Sequence, residues 1–140
     1  MKISLFCRTC GAVLSRELDL RSTRDPTVQQ PMLADGQPVT PRGTAYKSHE
    51  PLVVSPDPAQ PHQLSFVPQL WFNPDDVDVF GELVDDACRV GGCCGLSGHD
   101  GPNIRCKSCK SEIGTKMSDC WTPYLFIADP ERTELRKTES

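Results

Sequence analysis

Two short stretches of this chain carry the residue types best suited to chemistry: Cys7-Arg-Thr-Cys10-Gly11 and Cys106-Lys-Ser-Cys109-Lys110. Each places two thiols on either side of a two-residue turn. That spacing lets both sulfurs reach one metal while backbone amides of the turn point at them. Two such turns facing each other supply four thiolates in a tetrahedron, the closed geometry of a structural zinc site. Thiolate softness favours zinc or iron over hard cations. The candidate metal ligands are therefore Cys7, Cys10, Cys106 and Cys109, and zinc is the expected cofactor. An iron centre and unligated thiols at chance spacing are the competing readings.

The two knuckles are 95 residues apart, which is far for a compact zinc ribbon. The spacing implies that the domain is inserted between them. Loop-closure cost grows only logarithmically with length, so the separation is not prohibitive. The metal would fasten the first strand pair to the last. Arg8, Arg105, Lys107, Lys110 and Lys116 cluster near the knuckles in sequence. They are expected to balance the formal charge of a four-thiolate zinc site.

Half of the eight cysteines lie elsewhere: Cys88, Cys93, Cys94 and Cys120. Cys93 and Cys94 sit in "RVGGCCGLSGHDGPN", close to His99. Three readings stay open. The residues could form a second metal site, with His99 as a further ligand. Cys93, Cys94 and Cys120 could be thiols in redox or ligand chemistry, adjacent cysteines closing only a strained, easily reduced ring. They could also be small buried residues that shape a loop, as free cysteine often is. Asp100-Gly101-Pro102-Asn103 is a strong turn sequence. Trp71, Trp121 and Tyr124 could wall a pocket beside this loop, although aromatics near strands more often belong to a core.

The elements that must position the knuckles read mostly as strands. "KISLFCRTCGAVLSRELDL" alternates apolar residues around a tight turn and reads as strand, turn, strand. "QLSFVPQLWF" is apolar and β-prone, with a proline that favours an edge or a bulge. "NPDDV" marks a short helix start, with Asn73 as cap, Pro74 at the first position and acids in the first turn. Gly81 limits that helix to one or two turns. The acids of "PDDVDVFGELVDD" read as a solvated face rather than a cation site. "SEIGTKMSDCWTPYLFIAD" reads as a closing strand pair. Asp25 to His62 holds eight prolines and no periodic pattern, which predicts a long loop. The expected organisation is one zinc-binding β domain over 1–128, with a proline-rich insertion at 25–62 and a charged, flexible tail at 129–140. The fold class is mainly β: a small zinc-anchored antiparallel sheet with long proline-rich loops and at most one or two short helices.

The totals agree with that picture and exclude several functions. The chain has 140 residues, 13 prolines and ten glycines, so turns and irregular segments are many. No apolar run is long enough for a membrane helix. "MKISLFC" is too short for a secretory signal, so the expected compartment is the cytoplasm. There, eight cysteines read as metal ligands or reactive thiols rather than a disulfide framework. A net charge of −4 makes nucleic acid an improbable partner.

"CRTCG", "CKSCK" and the following "SDCWTPYLFI" resemble the zinc-anchored β-tent group, which includes methionine sulfoxide reductase B, the Yippee-like proteins and the thalidomide-binding domain of cereblon. The resemblance implies a four-cysteine zinc site pinning a β domain. In the reductase branch a catalytic cysteine follows the second zinc pair, and Cys120 occupies a similar place. "GGCCGLSGHDGPN…CKSC…SDCW" also resembles a motif set of bacterial proteins. No Ser-His-Asp arrangement and no phosphate-binding Gly-Lys-Ser/Thr occurs, and His49, His62 and His99 are scattered. The function expected is therefore a non-enzymatic zinc-binding domain for a protein partner or small ligand. The alternative is a thiol-redox enzyme using Cys120 or Cys94.

Overall fold

The computed structural model describes residues 2–22, 24–27, 37–49, 68–85, 102–118 and 123–138. Among these are nine strands: β1 (Lys2–Cys7), β2 (Leu18–Ser22), β3 (Thr44–Ser48), β4 (Gln69–Phe72), β5 (Gly81–Leu83), β6 (Ile104–Cys106), β7 (Glu112–Met117), β8 (Leu125–Ala128) and β9 (Thr133–Lys137). One 3₁₀ turn, Pro74–Asp76, follows β4. The fold is thus mainly β, as the alternating pattern predicts. The strands form one sheet in the order β5-β6-β7-β8-β4-β3-β2-β1-β9.

The sheet must curl. β6 and β1 lie six neighbours apart, which in a flat sheet is roughly 29 Å at ~4.8 Å per strand. Yet the sulfurs of Cys7, at the end of β1, and of Cys109, in the turn after β6, are 3.5 Å apart. Curling gives the sheet an inner and an outer face. Register assigns the residues: Ile3 opposes Leu18, Ala45 opposes Phe72, and Phe72 opposes Phe126. These residues, with Leu5, Cys7 and Cys106, share the inner cluster. The alternate residues Tyr46, Trp71, Leu125 and Ile127 share the outer cluster with Val39 and Met117. Trp71 is buried there, and its indole N–H donates to Gln69 Oε1 at 3.0 Å. Each large side chain so buried contributes about 1.5–3 kcal/mol.

Three expectations need correction. The sheet is mixed rather than antiparallel, because β2 and β3 run parallel. Parallel neighbours need a crossover of a dozen or more residues, and the stretch between Ser22 and Thr44 supplies it. Second, the proline-rich 25–62 segment contains β3 itself, a central strand. "TAYKS" is too short to show a period on its own, and its hydrogen bonds come from β2 and β4. Third, the tail contains β9. It pairs with β1 over five residues, from Ile3↔Lys137 to Cys7↔Thr133. As an edge strand it tolerates charge on its open side. Glu134 there pairs with Arg136 and with Arg8, and Arg136 lies 4.6 Å above the Phe6 ring.

The 3₁₀ turn forms as "NPDDV" dictates: Asn73 Oδ1 accepts from the Asp75 amide at 2.9 Å, and Pro74 opens the turn. The acids here are not simply a solvated face. Asp76 is buried, and its Oδ2 accepts from the Gly43 amide at 2.8 Å, where Gly43 has φ +84°. Tyr124 donates to Asp75 Oδ1 at 2.7 Å, and Lys116 reaches Asp78 Oδ2 at 3.0 Å. The turn therefore buttresses the start of β3 and the entry to β8.

On the β6–β7 side, Ile104 opposes Gly114 and Arg105 opposes Glu112, so Ile113 is the extra residue of a bulge. The bulge turns Ile113 onto the inner cluster. Gly114 is sterically required. A Cβ there would lie 2.4 Å from the Ile127 carbonyl oxygen and 2.6 Å from Phe126 Cζ. Gly114→Ala is expected to destabilise the fold by about 1–3 kcal/mol, an overpacking cost. A lowered denaturant midpoint with unchanged slope is the result that checks it.

Candidate metal centre

The two knuckles are built alike. In the first, the Cys7 amide donates to the Ala12 carbonyl at 2.9 Å and the Gly11 amide to the Cys7 carbonyl at 2.8 Å. In the second, the Cys106 amide donates to Ser111 at 2.8 Å and the Lys110 amide to Cys106 at 2.9 Å. Each begins where a strand ends, β1 or β6. Each then needs a left-handed residue directly after its second cysteine. Gly11 has φ +75°, and Lys110 adopts φ +67° despite its side chain. "Cys-x-x-Cys-Gly" signals this turn in sequence; "Cys-x-x-Cys-Lys" hides it.

The geometry brings all four predicted ligands together. The sulfurs of Cys7, Cys10, Cys106 and Cys109 lie within 4.8 Å of one another. Cys7 and Cys109 are 3.5 Å apart, and Cys10 and Cys106 are 3.7 Å apart. These gaps are far too long for disulfides, at ~2.05 Å. A tetrahedron with metal–sulfur bonds of ~2.3 Å has edges of about 3.8 Å. The sulfur positions therefore fit a single metal ion. Cys7 and Cys106, the strand-end members, are buried, while Cys109 is half-buried and Cys10 exposed. The site sits at one rim of the curl, closed from within. Thr9 and Ser111 join the knuckles through their hydroxyls at 3.4 Å, a contact that no sequence pattern marks.

Backbone amides prepare the sulfurs for negative charge. Burial pushes the Cys7 thiol up, but the Cys10 and Thr9 amides and the neighbouring thiols outweigh it and bring its pKa down to about 7. The Ser111 amide pulls Cys109 down, yet burial and the thiols of Cys7, Cys10 and Cys106 push it up to about 12. The Ala12 amide likewise lowers Cys10, but burial and Cys106 leave it raised. Thiolates this close repel one another, and a cation among them removes that penalty.

The basic residues near the knuckles take other partners. The Arg8 Nε donates to the Thr133 carbonyl at 2.8 Å, and Lys107 Nζ to the Val79 carbonyl at 2.9 Å. Arg105 and Lys110 both meet Glu82, and Lys116 meets Asp78. Carboxylates of β5 and the segment before it thus absorb charge that the sequence reading assigned to the thiolates. Cys88, Cys93, Cys94, His99, Cys120 and Trp121 lie outside the described residues. Tyr124 is part-buried beside Asp75 and below the Lys116 ammonium, 5.8 Å from its ring centroid. Among the described residues no helix is long and apolar enough to cross a membrane. No protein family, curated protein or solved structure matches this chain.

Two outcomes follow from the geometry. Gly11→Ala is expected to cost about 1–2 kcal/mol, all of it backbone strain, since a Cβ at Gly11 meets nothing within 4 Å. Chemical denaturation measures it. Metal binding must displace protons from thiols that hold them, Cys109 up to a pKa of about 12 and Cys7 to about 7. Affinity therefore falls as pH falls, and a competition titration from about pH 8 down to about pH 5 is expected to show progressive metal release.

Proposed function

We propose that Cys7, Cys10, Cys106 and Cys109 hold one zinc ion, and that the protein is a non-enzymatic, zinc-clamped binding domain on a β-tent-like plan. Its cargo is a protein partner or a small ligand. The carrying observation is that two like-built knuckles, six strands apart in the sheet, bring four sulfurs within 4.8 Å. Four thiolates suit zinc, which accepts a tetrahedron without electronic preference. With four protein ligands the ion has no open position for water or substrate, as in structural rather than catalytic sites. Reduced thiols and a thiolate-held metal belong to a reducing compartment, which favours the cytoplasm.

Metal analysis of protein purified without added metal tests this. One zinc per chain and no visible thiolate-to-iron absorption are expected, together with four titratable thiols from the four cysteines outside the site. Structural zinc of this type contributes on the order of 10 kcal/mol, comparable with the whole stability of a domain. Cys106→Ser and strong chelation are therefore each expected to release the metal and unfold the sheet, seen as loss of tertiary circular dichroism. A metal-free, fully folded wild-type protein would sink the reading.

A further inference from the structure

The inner face of the curl is not filled along its whole length. A cavity of about 320 Å³ lies between β9 and the strands β2, β3, β4 and β8. Leu20, Leu70, Ala128 and Leu135 give it an apolar floor, and Lys47 stands at its edge. The three leucines pack on the inner cluster while remaining partly open. A second cavity of about 550 Å³ adjoins it, since Leu20 and Lys47 line both. Its other lining residues are polar: Arg21, Ser22, Arg24, Asp25 and His49.

Charge at this polar end is predominantly positive. Arg21 is matched by Asp19 at 3.3 Å. Asp25 is occupied locally, accepting from the Thr27 amide at 2.9 Å and the Thr27 hydroxyl at 2.7 Å. Among the described residues no carboxylate pairs with the Arg24 guanidinium. His49 registers the resulting field: burial, then the charges of Arg24 and Lys47, push its pKa down. An apolar floor beside a cationic end is the complement of a molecule with an apolar body and an anionic head.

We infer that these adjoining cavities bind a small amphipathic anion, its apolar body against Leu20, Leu70 and Leu135 and its acidic head at Arg24. The inference deepens the small-ligand reading of the domain and supplies the ligand's chemical class. A cavity at the lower end of the ~300–1,000 Å³ range of ligand sites suits a small molecule rather than a folded partner. Arg8, inside the first knuckle, also lines the apolar cavity and is held there by the Thr133 carbonyl and Glu134.

Calorimetric titration of the metal-loaded full chain with octanoate tests the assignment, with octyl phosphate, octanol and acetate in parallel. Saturable binding of octanoate or octyl phosphate, at least tenfold tighter than octanol and acetate, is expected. The tighter of the two anions identifies a carboxylate or a phosphate head. Arg24→Gln is expected to weaken that binding about tenfold while metal content and unfolding temperature hold. Octanol binding as tightly as the anions, an unaffected Arg24→Gln variant, or no binding by any probe would overturn it. Metal content measured on the same samples separates such a failure from failure of the zinc clamp.

Discussion

The constraint around which this fold is arranged is the meeting of four sulfurs within 4.8 Å. Left alone, they resist that arrangement, because each thiolate raises the cost of ionising the next. A cation at their centre reverses the sign of the interaction. Bringing knuckles 95 residues apart into contact costs about 4 kcal/mol in chain entropy. A structural zinc ion held as proposed would supply ~10 kcal/mol, more than that cost. The join lies at the edge of the inner cluster in which Ile3, Leu5, Phe72, Ile104 and Phe126 are buried together with Cys7 and Cys106.

Smaller devices serve the same closure. The bulge at Ile113 bends the β6–β7 side and adds one more apolar side chain to the interior. Gly114 lets the Phe126 ring lie against β7, where it meets Phe72 edge-on with centroids 6.0 Å apart. The buried Asp76 fixes Gly43 just before β3. Each of these lies on or beside a strand between β1 and β6 in the sheet order. The curvature is therefore distributed over the sheet, and the four cysteines meet where it brings β1 and β6 together.

What was legible in the sequence was local. The Cys-x-x-Cys turns, the Asn73–Pro74 cap and the β7–β8 pair carry their instructions within a few residues, and all are in the fold. What was not legible depends on partners distant in the chain. "TAYKS" becomes a central strand because β2 and β4 lie on either side of it. "TELRK" becomes β9 because β1 offers five residues of unpaired edge. The knuckle cations illustrate the same limit: nearness in sequence suggested thiolates, whereas Glu82 and Asp78 on another segment take Arg105, Lys110 and Lys116. The cavity beside β9 could not be read at all, since its floor comes from three leucines on three separated strands.

The pairing of β1 with β9 also sets a timetable. During synthesis, at ~5–20 residues per second, the ribosome would take roughly 6–25 s to reach β9 after completing β1. Over that interval one edge of β1 has no lasting partner, and Cys7 and Cys10 wait for Cys106 and Cys109. A nascent chain in this state presents an open strand edge and two uncommitted thiols at once. The order of synthesis therefore makes both the β1–β9 pairing and the meeting of the two knuckles late events of folding.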